Sequence, residues 1–523
     1  MFGRPTRPAA PMPPAAPASA LRPRVFLLFA IIYLFAFPYF NALRSANELP
    51  RVLTTQEIVE RGTFRLDARM REVGSRFDLA PTPGGHFYQN KAPGPSLLAV
   101  PTYLVLKLFG WTSLPVSTWA FRVTIVILPT LAFLFLFYRL GARFSPSESA
   151  RRTGVVAFAL GSPAMPYALL FMSHEPSAVW AGTAFVGAVV LAREESVRRR
   201  GLVAAGVGVC AGLSVIMDYQ SALAAAAVGV YLLVRSRSRL RDSAAALLGA
   251  SVPIAALLAY HKACFGGVLK TGYSLSNVVH ERGVLGLVGP SAAAFYYTLV
   301  DPSNGLLVLA PWVVLAPVGF VVIMASREAR RRVGAEAIVC MIVFVGYLTF
   351  MGSLVPSFSR AGWCVGPRYM TVALPFVAWL AVAGFGAAER WLATRVLALG
   401  LVLASVVIFV TAATTYPHWP ENLRNPIYEL VFRLITHGYA VHSLGTLVGL
   451  RGLAAMLPLY LFTVGFIVWL LGWRSRRALI TTAAGFAVAA AIVAGYSAFP
   501  RTGQYAEHAF AWITSTWEPP AKR

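Results

Sequence analysis

The sequence predicts an all-α polytopic membrane protein. Of its 523 residues, 57% are hydrophobic and 13% are charged, and the mean hydropathy of +0.64 is far above that of a soluble domain. Apolar runs of about 17–25 residues recur along the chain, which is the length that a helix needs to cross a hydrocarbon core of about 30 Å. We therefore predict a flexible basic cytoplasmic tail over 1–24 and a single bundle of about 13 transmembrane helices, embedded in a lipid bilayer, over 25–523.

The net charge of +25 comes mainly from arginines, which form short clusters between apolar runs. The intervening tight turns at 173–176 and 218–220 contain no lysine or arginine. This alternation is the positive-inside pattern, so it predicts a cytoplasmic N-terminus and leaves no need for a nucleic-acid partner. The predicted spans lie near 25–43, 119–140, 154–172, 176–192, 201–217, 220–234, 243–260, 304–325, 334–351, 370–388, 396–413, 455–473 and 478–498.

Four outer segments between these spans are much longer than the inner connections, and we expect the function to lie on them. The first, 44–118, is the most charged long stretch of the chain, and the others are 261–303, 352–369 and 414–454. The basic N-terminal tail and the short inner connections carry no comparable set of polar residues.

The first outer segment opens with NELPRVLTTQEIVERG, which has the apolar periodicity of an amphipathic interfacial helix ending at Gly62. Glu48 stands where the chain leaves the bilayer, so its carboxylate suits a general base and equally suits a helix N-terminus. The later run at 94–110 is short, interrupted by Pro and Gly, and contains Lys107. We predict that this run is a helix within the loop rather than a further span.

Polar residues at the outer ends of spans are candidate binding residues, with turn residues or snorkelling anchors as the alternative for each. Arg368 follows a glycine-rich turn, where its guanidinium suits bidentate phosphate binding. The four cysteines show no CxxC spacing, although Cys264 and Cys364 both fall in outer segments and could pair. The candidates are Arg51, Asp67, His86, Tyr88, Lys91, His174, Asp218, Tyr273 and Arg368.

Five segments in order carry a resemblance to a known group: NELPR, YQNKAPGPSLLAVP, SHEPSAVW, HKACFGGVLKTGY and GWCVGPRYMTVALPF. Over most of its length the chain resembles the GT-C superfamily of polytopic membrane glycosyltransferases, which includes protein O-mannosyltransferases and lipid A aminoarabinose transferases. The resemblance implies a GT-C bundle, a polyprenyl-phosphate-linked sugar donor, and an active site on the outer face of a bacterial plasma membrane. It leaves the acceptor open as a lipid, a glycan or a protein.

The resemblance also implies roles for individual residues. The catalytic carboxylate of the first outer loop maps onto Glu48, and Lys91 maps onto a donor-phosphate ligand, assisted by Arg368 and His174. Relatives usually have two adjacent acids where this chain has Asn47-Glu48, so a divalent metal stays open as a cofactor. The residues left as possible substrate-binding groups are Arg51, Asp67, His86, Tyr88, Asp218 and Tyr273.

The predicted reaction is an inverting transfer in which Glu48 removes the proton of the acceptor hydroxyl. One rival is a glycan ligase or polymerase that uses a diphosphate-linked donor, which would share the topology. A second rival is a transporter or lipid flippase, which would require inverted repeats and ionisable residues near the bilayer midplane. The sequence shows no clear internal repeat, and the predicted spans at 304–325 and 396–413 contain no charge.

Overall fold

The computed structural model describes residues 21, 24–37, 45–73, 78–194, 198–275, 286–355, 363–473 and 475–517. Most of the predicted tail over 1–24 lies outside these residues, as do parts of all but one of the outer segments. The described chain is a bundle of α-helices with two small antiparallel strand pairs. Ala36–Phe37 pairs with His442–Ser443, and Leu79–Pro81 pairs with Phe87–Gln89.

The α-helices have the following bounds. In the first part of the chain they are Arg24–Phe35, Leu49–Arg61, Met70–Val73, Gly94–Leu108, Leu114–Phe121, Leu128–Phe144, Glu148–Ala159 and Ala164–Ala168. In the middle they are His174–Arg193, Arg200–Met217, Ala222–Arg235, Arg239–Phe265, Ala292–Leu299, Leu306–Leu309, Leu315–Ala325 and Arg327–Gly352. In the last part they are Leu374–Ala388, Leu392–Thr415, Phe432–Thr436, Leu444–Leu447, Gly452–Ile467, Arg476–Gly495 and Gln504–Trp512.

Tighter or wider helical turns extend several of these helices. The 3-10 turns are Asp67–Arg69, Tyr219–Ser221, Gly272–Leu275, Pro311–Val314, Arg368–Ala373 and Tyr496–Ala498. The π-helical turns are Arg122–Ile127, Ile427–Val431, Val468–Gly472 and Ile513–Trp517.

Nine helical stretches within the described ranges are long and apolar enough to cross a bilayer, judged by length and composition alone. This confirms the predicted all-α polytopic class of membrane protein. The nine stretches coincide with nine of the predicted spans and are Leu114–Phe144, His174–Arg193, Arg200–Met217, Arg239–Phe265, Arg327–Gly352, Arg368–Ala388, Leu392–Thr415, Gly452–Gly472 and Arg476–Ala498.

The predicted count of thirteen is not confirmed, because the other four predicted spans are shorter or broken. The span at 25–43 is helical only over Arg24–Phe35 before a strand, and residues 38–43 lie outside the described chain. The span at 220–234 is a shorter apolar helix, Tyr219–Arg235. Gly161 and Pro163 interrupt the span at 154–172, and Ala310-Pro311 interrupts the span at 304–325.

The predicted first-loop helix is confirmed as Leu49–Arg61. Pro50 occupies its first turn, where a missing N–H costs nothing, and Gly62 ends it in the left-handed region with φ 64°. Its first nine residues, from Leu49 to Glu57, are all buried. The helix therefore packs inside the protein along its first half, rather than resting on the bundle by one apolar face.

The helix Gly94–Leu108 also forms within the loop, as predicted, and its start is fixed by a close approach. A Cβ at Gly94 would lie 2.6 Å from the carbonyl oxygen of Ile216, so only glycine allows this contact. The far end of the helix is open, with Leu108 83% exposed. The contact at Gly94 places the residues just before it beside the end of the helix Arg200–Met217.

The bundle centre is the helix Leu374–Ala388, which is buried almost all round. Its Trp379 donates a hydrogen bond from Nε1 to the carbonyl oxygen of Phe137 at 3.1 Å and stacks on that ring at 5.3 Å. Cys264 and Cys364 are buried in different apolar clusters, so the possible disulfide between them is not formed.

Ion pairs hold the helix ends where the arginine clusters lie. Arg193 binds Glu336 through two contacts of 2.6 Å, and the Tyr231 hydroxyl donates to the same carboxylate at 2.8 Å. Arg200 pairs with Asp242 at 2.7 Å. These contacts mark one end of the bundle, and the candidate site lies at the opposite end of the same helices.

Candidate active site

A small polar cavity lies at the end of the bundle opposite these ion pairs. It encloses about 230 Å³ of space that atoms do not occupy, part of it open to solvent. Six separate stretches of the chain contribute to its wall, so only the folded chain assembles it. The lining residues are Asn47, Arg51, Lys91, Ala92, Ser173, His174, Asp218, Tyr273, Arg368 and Tyr369.

The first outer loop supplies Asn47 and Arg51, on either side of the start of the helix Leu49–Arg61. Arg51 Nη1 donates to the Asn47 carbonyl oxygen at 2.6 Å and also to the Asn47 side-chain oxygen. Its Nη2 donates to Ser173 Oγ at 3.3 Å, which ties the loop to the helix His174–Arg193. Burial lowers the pKa of the Arg51 guanidinium, and the neighbouring Tyr273, Asp78 and Asp218 counteract this effect.

Lys91 stands in the turn between the strand Phe87–Gln89 and the helix Gly94–Leu108. Its Nζ binds Asp78 Oδ1 at 2.9 Å and lies 4.9 Å from the centre of the Tyr273 ring. Burial acts to lower the pKa of the Lys91 ammonium, but Asp78, Tyr273 and Tyr369 together outweigh this effect and raise the pKa. Lys91 is therefore a permanent cation in the cavity.

Tyr273 is held beside Lys91 by its neighbour Gly272. A Cβ at Gly272 would lie 2.5 Å from the Cα of Asn90, so the 3-10 turn Gly272–Leu275 touches the backbone of the Lys91 turn directly. Burial raises the pKa of the Tyr273 phenol, which therefore stays a neutral hydrogen-bond donor.

Ser173 and His174 begin the helix His174–Arg193, and Asp218 follows the end of the adjacent helix Arg200–Met217. Asp218 Oδ2 accepts hydrogen bonds from His174 Nδ1 at 2.9 Å, Ser173 Oγ at 3.2 Å and Gln220 Nε2 at 3.3 Å. Burial alone would raise the pKa of the Asp218 carboxyl, but these bonds and the charge of Arg51 lower it. Asp218 is therefore an anion whose Oδ2 is already fully hydrogen-bonded.

Arg368 and Tyr369 complete the wall where the chain re-enters the bundle. Trp363 and Gly366 both have positive φ, 58° and 68°, so the chain turns sharply just before Arg368. The Arg368 guanidinium lies 5.1 Å from the centre of the Tyr369 ring. This stacking holds the charged group at the cavity wall.

The lining thus holds three cations, Arg51, Lys91 and Arg368, and one carboxylate, Asp218. Asp78, just outside the lining, pairs with Lys91, so the three cations still outnumber the two carboxylates. Such an excess of buried positive charge suits an anionic ligand with several oxygen acceptors, such as a phosphate. Divalent metals prefer clustered carboxylates or imidazoles. Throughout the described ranges, no group of three His, Cys, Asp or Glu side chains converges, and the wall does not fit a divalent cation.

The cavity brings together six of the predicted site residues. They are Arg51, Lys91, His174, Asp218, Tyr273 and Arg368.

Glu48 is adjacent to the lining residue Asn47, but its side chain lies elsewhere. The carboxylate is fully buried and accepts from Arg122 Nη2 at 2.7 Å, Arg122 Nε at 3.0 Å and the Phe171 N–H at 2.6 Å. All three bonds go to Oε1, and Oε2 has no hydrogen-bond partner among the residues described. Its role as a base stays a prediction, and the expected position on the cavity wall is not observed.

Three other predicted residues are also outside the cavity wall. Asp67 and His86 bind each other at 2.8 Å on the outside of the loop, where both are more than a third exposed. Tyr88 is buried in an apolar cluster, with its ring 6.0 Å from that of Phe265. The side chains of a strand alternate in direction, so Tyr88 faces away although it is only three residues from Lys91.

Four lining residues, Asn47, Ala92, Ser173 and Tyr369, were not predicted individually, although all lie within the quoted motifs. Arg122 was also missed. An arginine inside a predicted span needs a partner, so its position near the start of the span at 119–140 could have indicated an ion pair.

Two solved structures share this architecture. ArnT from Cupriavidus metallidurans in the apo state aligns with 91% of this chain and 76% of its own, at 13% identity and a TM-score of 0.52. The same enzyme bound to undecaprenyl phosphate aligns with 91% and 77%, at 13% identity and a TM-score of 0.51. No protein-family model and no curated protein matches the sequence.

The likeness to ArnT, at this identity, shows the fold. The chain shares the fold of ArnT and is a polytopic α-helical membrane protein, which confirms the predicted fold class. The alignment spans nearly the whole chain and about three quarters of ArnT, so the likeness covers the complete described bundle rather than one helical pair.

Proposed function

We propose that this protein is a membrane glycosyltransferase that moves a sugar from a polyprenyl-phosphate donor to an acceptor hydroxyl, with inversion at the anomeric carbon. The observation that carries the proposal is the convergence of Arg51, Lys91 and Arg368 on one cavity. A structure of ArnT binds undecaprenyl phosphate, and that protein shares this fold. A buried set of cations and a lipid phosphate are complementary in charge and in hydrogen bonding.

The three cations would act on the leaving group. As the bond between the anomeric carbon and the phosphate oxygen breaks, negative charge develops on the phosphate. Fixed positive groups in a partly enclosed cavity stabilise this charge without having to reorganise. The Tyr273 phenol and the Arg368 guanidinium add hydrogen-bond donors to the same cavity wall.

The directions of two helices support an assignment of the cavity to one face of the membrane. Helix His174–Arg193 begins at the cavity and ends at Arg193, and helix Arg200–Met217 runs back from Arg200 to the cavity at Asp218. Both arginine ends belong to the clusters that the positive-inside rule assigns to the cytoplasm. We therefore propose that the cavity opens on the outer face, with a cytoplasmic N-terminus, in a bacterial plasma membrane.

The test is sugar transfer from a panel of polyprenyl-phosphate sugars by purified protein in lipid nanodiscs. Release of polyprenyl phosphate by the wild type is expected. Because Lys91→Gln and Arg368→Gln each remove one phosphate ligand, both variants should raise KM for the donor and lower kcat. The matched controls are Lys107→Gln and Arg451→Gln, which alter exposed cations outside the cavity lining.

Adding a chelator to the assay tests whether transfer needs a divalent metal. We expect transfer to continue, because the wall does not suit a divalent cation. If sugar is transferred only from diphosphate-linked donors, the proposed monophosphate donor is wrong and the protein is a glycan ligase or polymerase. A folded wild-type protein that releases nothing from any donor would contradict the proposal and favour a transporter or flippase.

A further inference from the structure

His174 lines the cavity, and only one of its two ring nitrogens has a hydrogen-bond partner among the described residues. Nδ1 lies 2.9 Å from Asp218 Oδ2, and the side chain is only 4% exposed. Nε2 has no hydrogen-bond partner within the described parts of the chain, and the residue belongs to the cavity lining. A buried polar atom without a partner is unfavourable unless a ligand uses it, so Nε2 indicates a place for a substrate group.

The bonds around Asp218 fix which nitrogen carries the proton. Oδ2 accepts from Ser173, Gln220 and His174, so the neutral imidazole must donate from Nδ1. Nε2 then carries the lone pair and can accept a proton. An Asp–His pair of this kind holds the ring in one tautomer and stabilises the imidazolium that forms when the ring accepts a proton.

Every element packed around the ring contributes to this arrangement. The rings of Tyr167 and Tyr369 contact the imidazole edge-on, with centroids at 5.2 and 5.5 Å, and prevent it from rotating. Arg51 and Arg368 line the same cavity as the imidazole and place two positive charges near it.

We propose that His174 is the general base of the transfer and that Asp218 is the residue that positions it. This assignment rests on the proposed function. In this assignment a group on the cavity wall accepts the proton of the acceptor hydroxyl. The carboxylate of Glu48, by contrast, lies outside the lining and is bound to Arg122. It also replaces the role in donor-phosphate binding that the resemblance gives to His174.

The step conserves protons and electrons. The acceptor oxygen forms a bond to the anomeric carbon while its hydrogen moves to His174 Nε2. The bond from that carbon to the phosphate oxygen breaks, and its electron pair leaves with polyprenyl phosphate beside Lys91 and Arg368. The imidazolium, paired with Asp218, then returns its proton to water or to the departing phosphate.

The decisive experiment compares His174→Gln and Asp218→Asn with the wild type in the nanodisc assay. Removing a general base should lower kcat by about 10²–10⁴-fold. The Kd for polyprenyl phosphate, measured separately, should change by less than threefold, since the three cations remain. The control is His508→Gln, which alters an exposed histidine of the C-terminal helix.

Two further readouts separate a base from a structural group. Added imidazole should restore transfer to His174→Ala, because the variant opens a ring-sized space between Tyr167 and Tyr369. For the wild type, kcat should rise with pH through one ionisation between about pH 5 and about pH 8, as expected for an imidazole. Asp218→Asn should shift or remove this rise of kcat with pH.

Loss of donor affinity in His174→Gln with kcat retained would overturn the assignment and return His174 to phosphate binding. A wild-type kcat that does not change over that pH range would also overturn it, without the need for a folded variant. In both cases the wild type still transfers sugar, so the proposed function stands. A wild type that transfers nothing removes both proposals together.

Discussion

Asn47 and Glu48 are adjacent in sequence, but their side chains lie in different surroundings. Asn47 accepts from Arg51 and lines the cavity, while Glu48 is buried with Arg122. Arg122 comes from the π-helical turn Arg122–Ile127, 74 residues further along. Glu48 thus joins the first outer loop to a membrane helix, and Asn47 joins the loop to the cavity.

This arrangement predicts that Glu48→Gln destabilises the protein. The substitution leaves the Arg122 guanidinium buried without a counter-charge, which typically costs about 3–5 kcal/mol. We expect a lower apparent melting temperature in detergent. The double variant, Glu48→Gln with Arg122→Gln, restores a neutral pair and should recover most of the stability.

The same double variant decides whether Glu48 is also the base. Recovery of transfer together with stability would exclude Glu48 from the chemistry, because glutamine cannot accept the proton. A stable double variant without transfer would support Glu48 and contradict the role proposed for His174. Glu336→Gln, which breaks the buried pair with Arg193 at the other end of the bundle, is the matched stability control.

At the scale of helices, the sequence predicts where a helix lies but does not show where an apolar helix is broken. The periodicity of the first loop and its glycine predict Leu49–Arg61 correctly, because both are local signals. The breaks at Gly161 and Ala310 are hidden in apolar runs, since hydropathy alone does not distinguish a continuous span from a broken one. Trp312 Nε1 donates to the carbonyl oxygen of Gly161 at 2.5 Å, so the two breaks stabilise each other across 151 residues.

The sequence likewise indicates only some of the residues that line the cavity. Residues at the outer ends of helices, such as His174, Asp218 and Arg368, were found because span boundaries place them at one membrane face. The direction of a side chain within a loop depends on partners that are distant in sequence. The sequence therefore could not show that the side chains of Glu48 and Tyr88 face Arg122 and an apolar cluster, and the roles predicted for both residues stay predictions.

Close contact between two helices positions Asp218. A Cβ at Gly208 would lie 1.7 Å from the carbonyl oxygen of Ala246, and one at Gly249 would lie 2.0 Å from that of Ala205. Small residues at such crossings let helix backbones touch, which is a common means of association in membranes. The helices Arg200–Met217 and Arg239–Phe265 are therefore fixed to each other, and Asp218 and the Gly272 turn follow from their ends.

We predict that Gly208→Ala separates these helices, with a lower melting temperature and weaker transfer. Gly206→Ala is the matched control, because no atom lies within 4 Å of a Cβ at that position on the same helix. Equal stability of the two variants would show that the contact at Gly208 is not required. The transfer rate should fall in Gly208→Ala even below its melting temperature, since Asp218 moves with the helix.

On the scale of the whole molecule, the bundle is polar along its axis. Ion pairs such as Arg193 with Glu336 and Arg200 with Asp242 gather at one end, and the cavity with its three cations lies at the other. The arginines at the first end pair with buried carboxylates, whereas the three cations of the cavity outnumber the two carboxylates beside them, Asp218 and Asp78. This difference marks the cavity end as the candidate binding end.

The polarity makes a prediction about topology that does not depend on catalysis. Helix Arg239–Phe265 has 27 residues, about 40 Å at 1.5 Å per residue, so its two ends should lie on opposite faces of the membrane. Arg239 and Lys270 are both exposed, one at the start of this helix and the other just beyond its end. Arg239→Cys and Lys270→Cys therefore report on the two faces with one helix between them.

A membrane-impermeant maleimide applied to intact cells should label Lys270→Cys, and should label Arg239→Cys only after the membrane is opened. The wild type gives the background, because three of its four thiols are buried and Cys210 is partly so. The reverse pattern would place the cavity on the cytoplasmic face and contradict the positive-inside assignment. Labelling of both positions in intact cells would mean that the helix does not cross, and the bundle axis would then lie differently in the membrane.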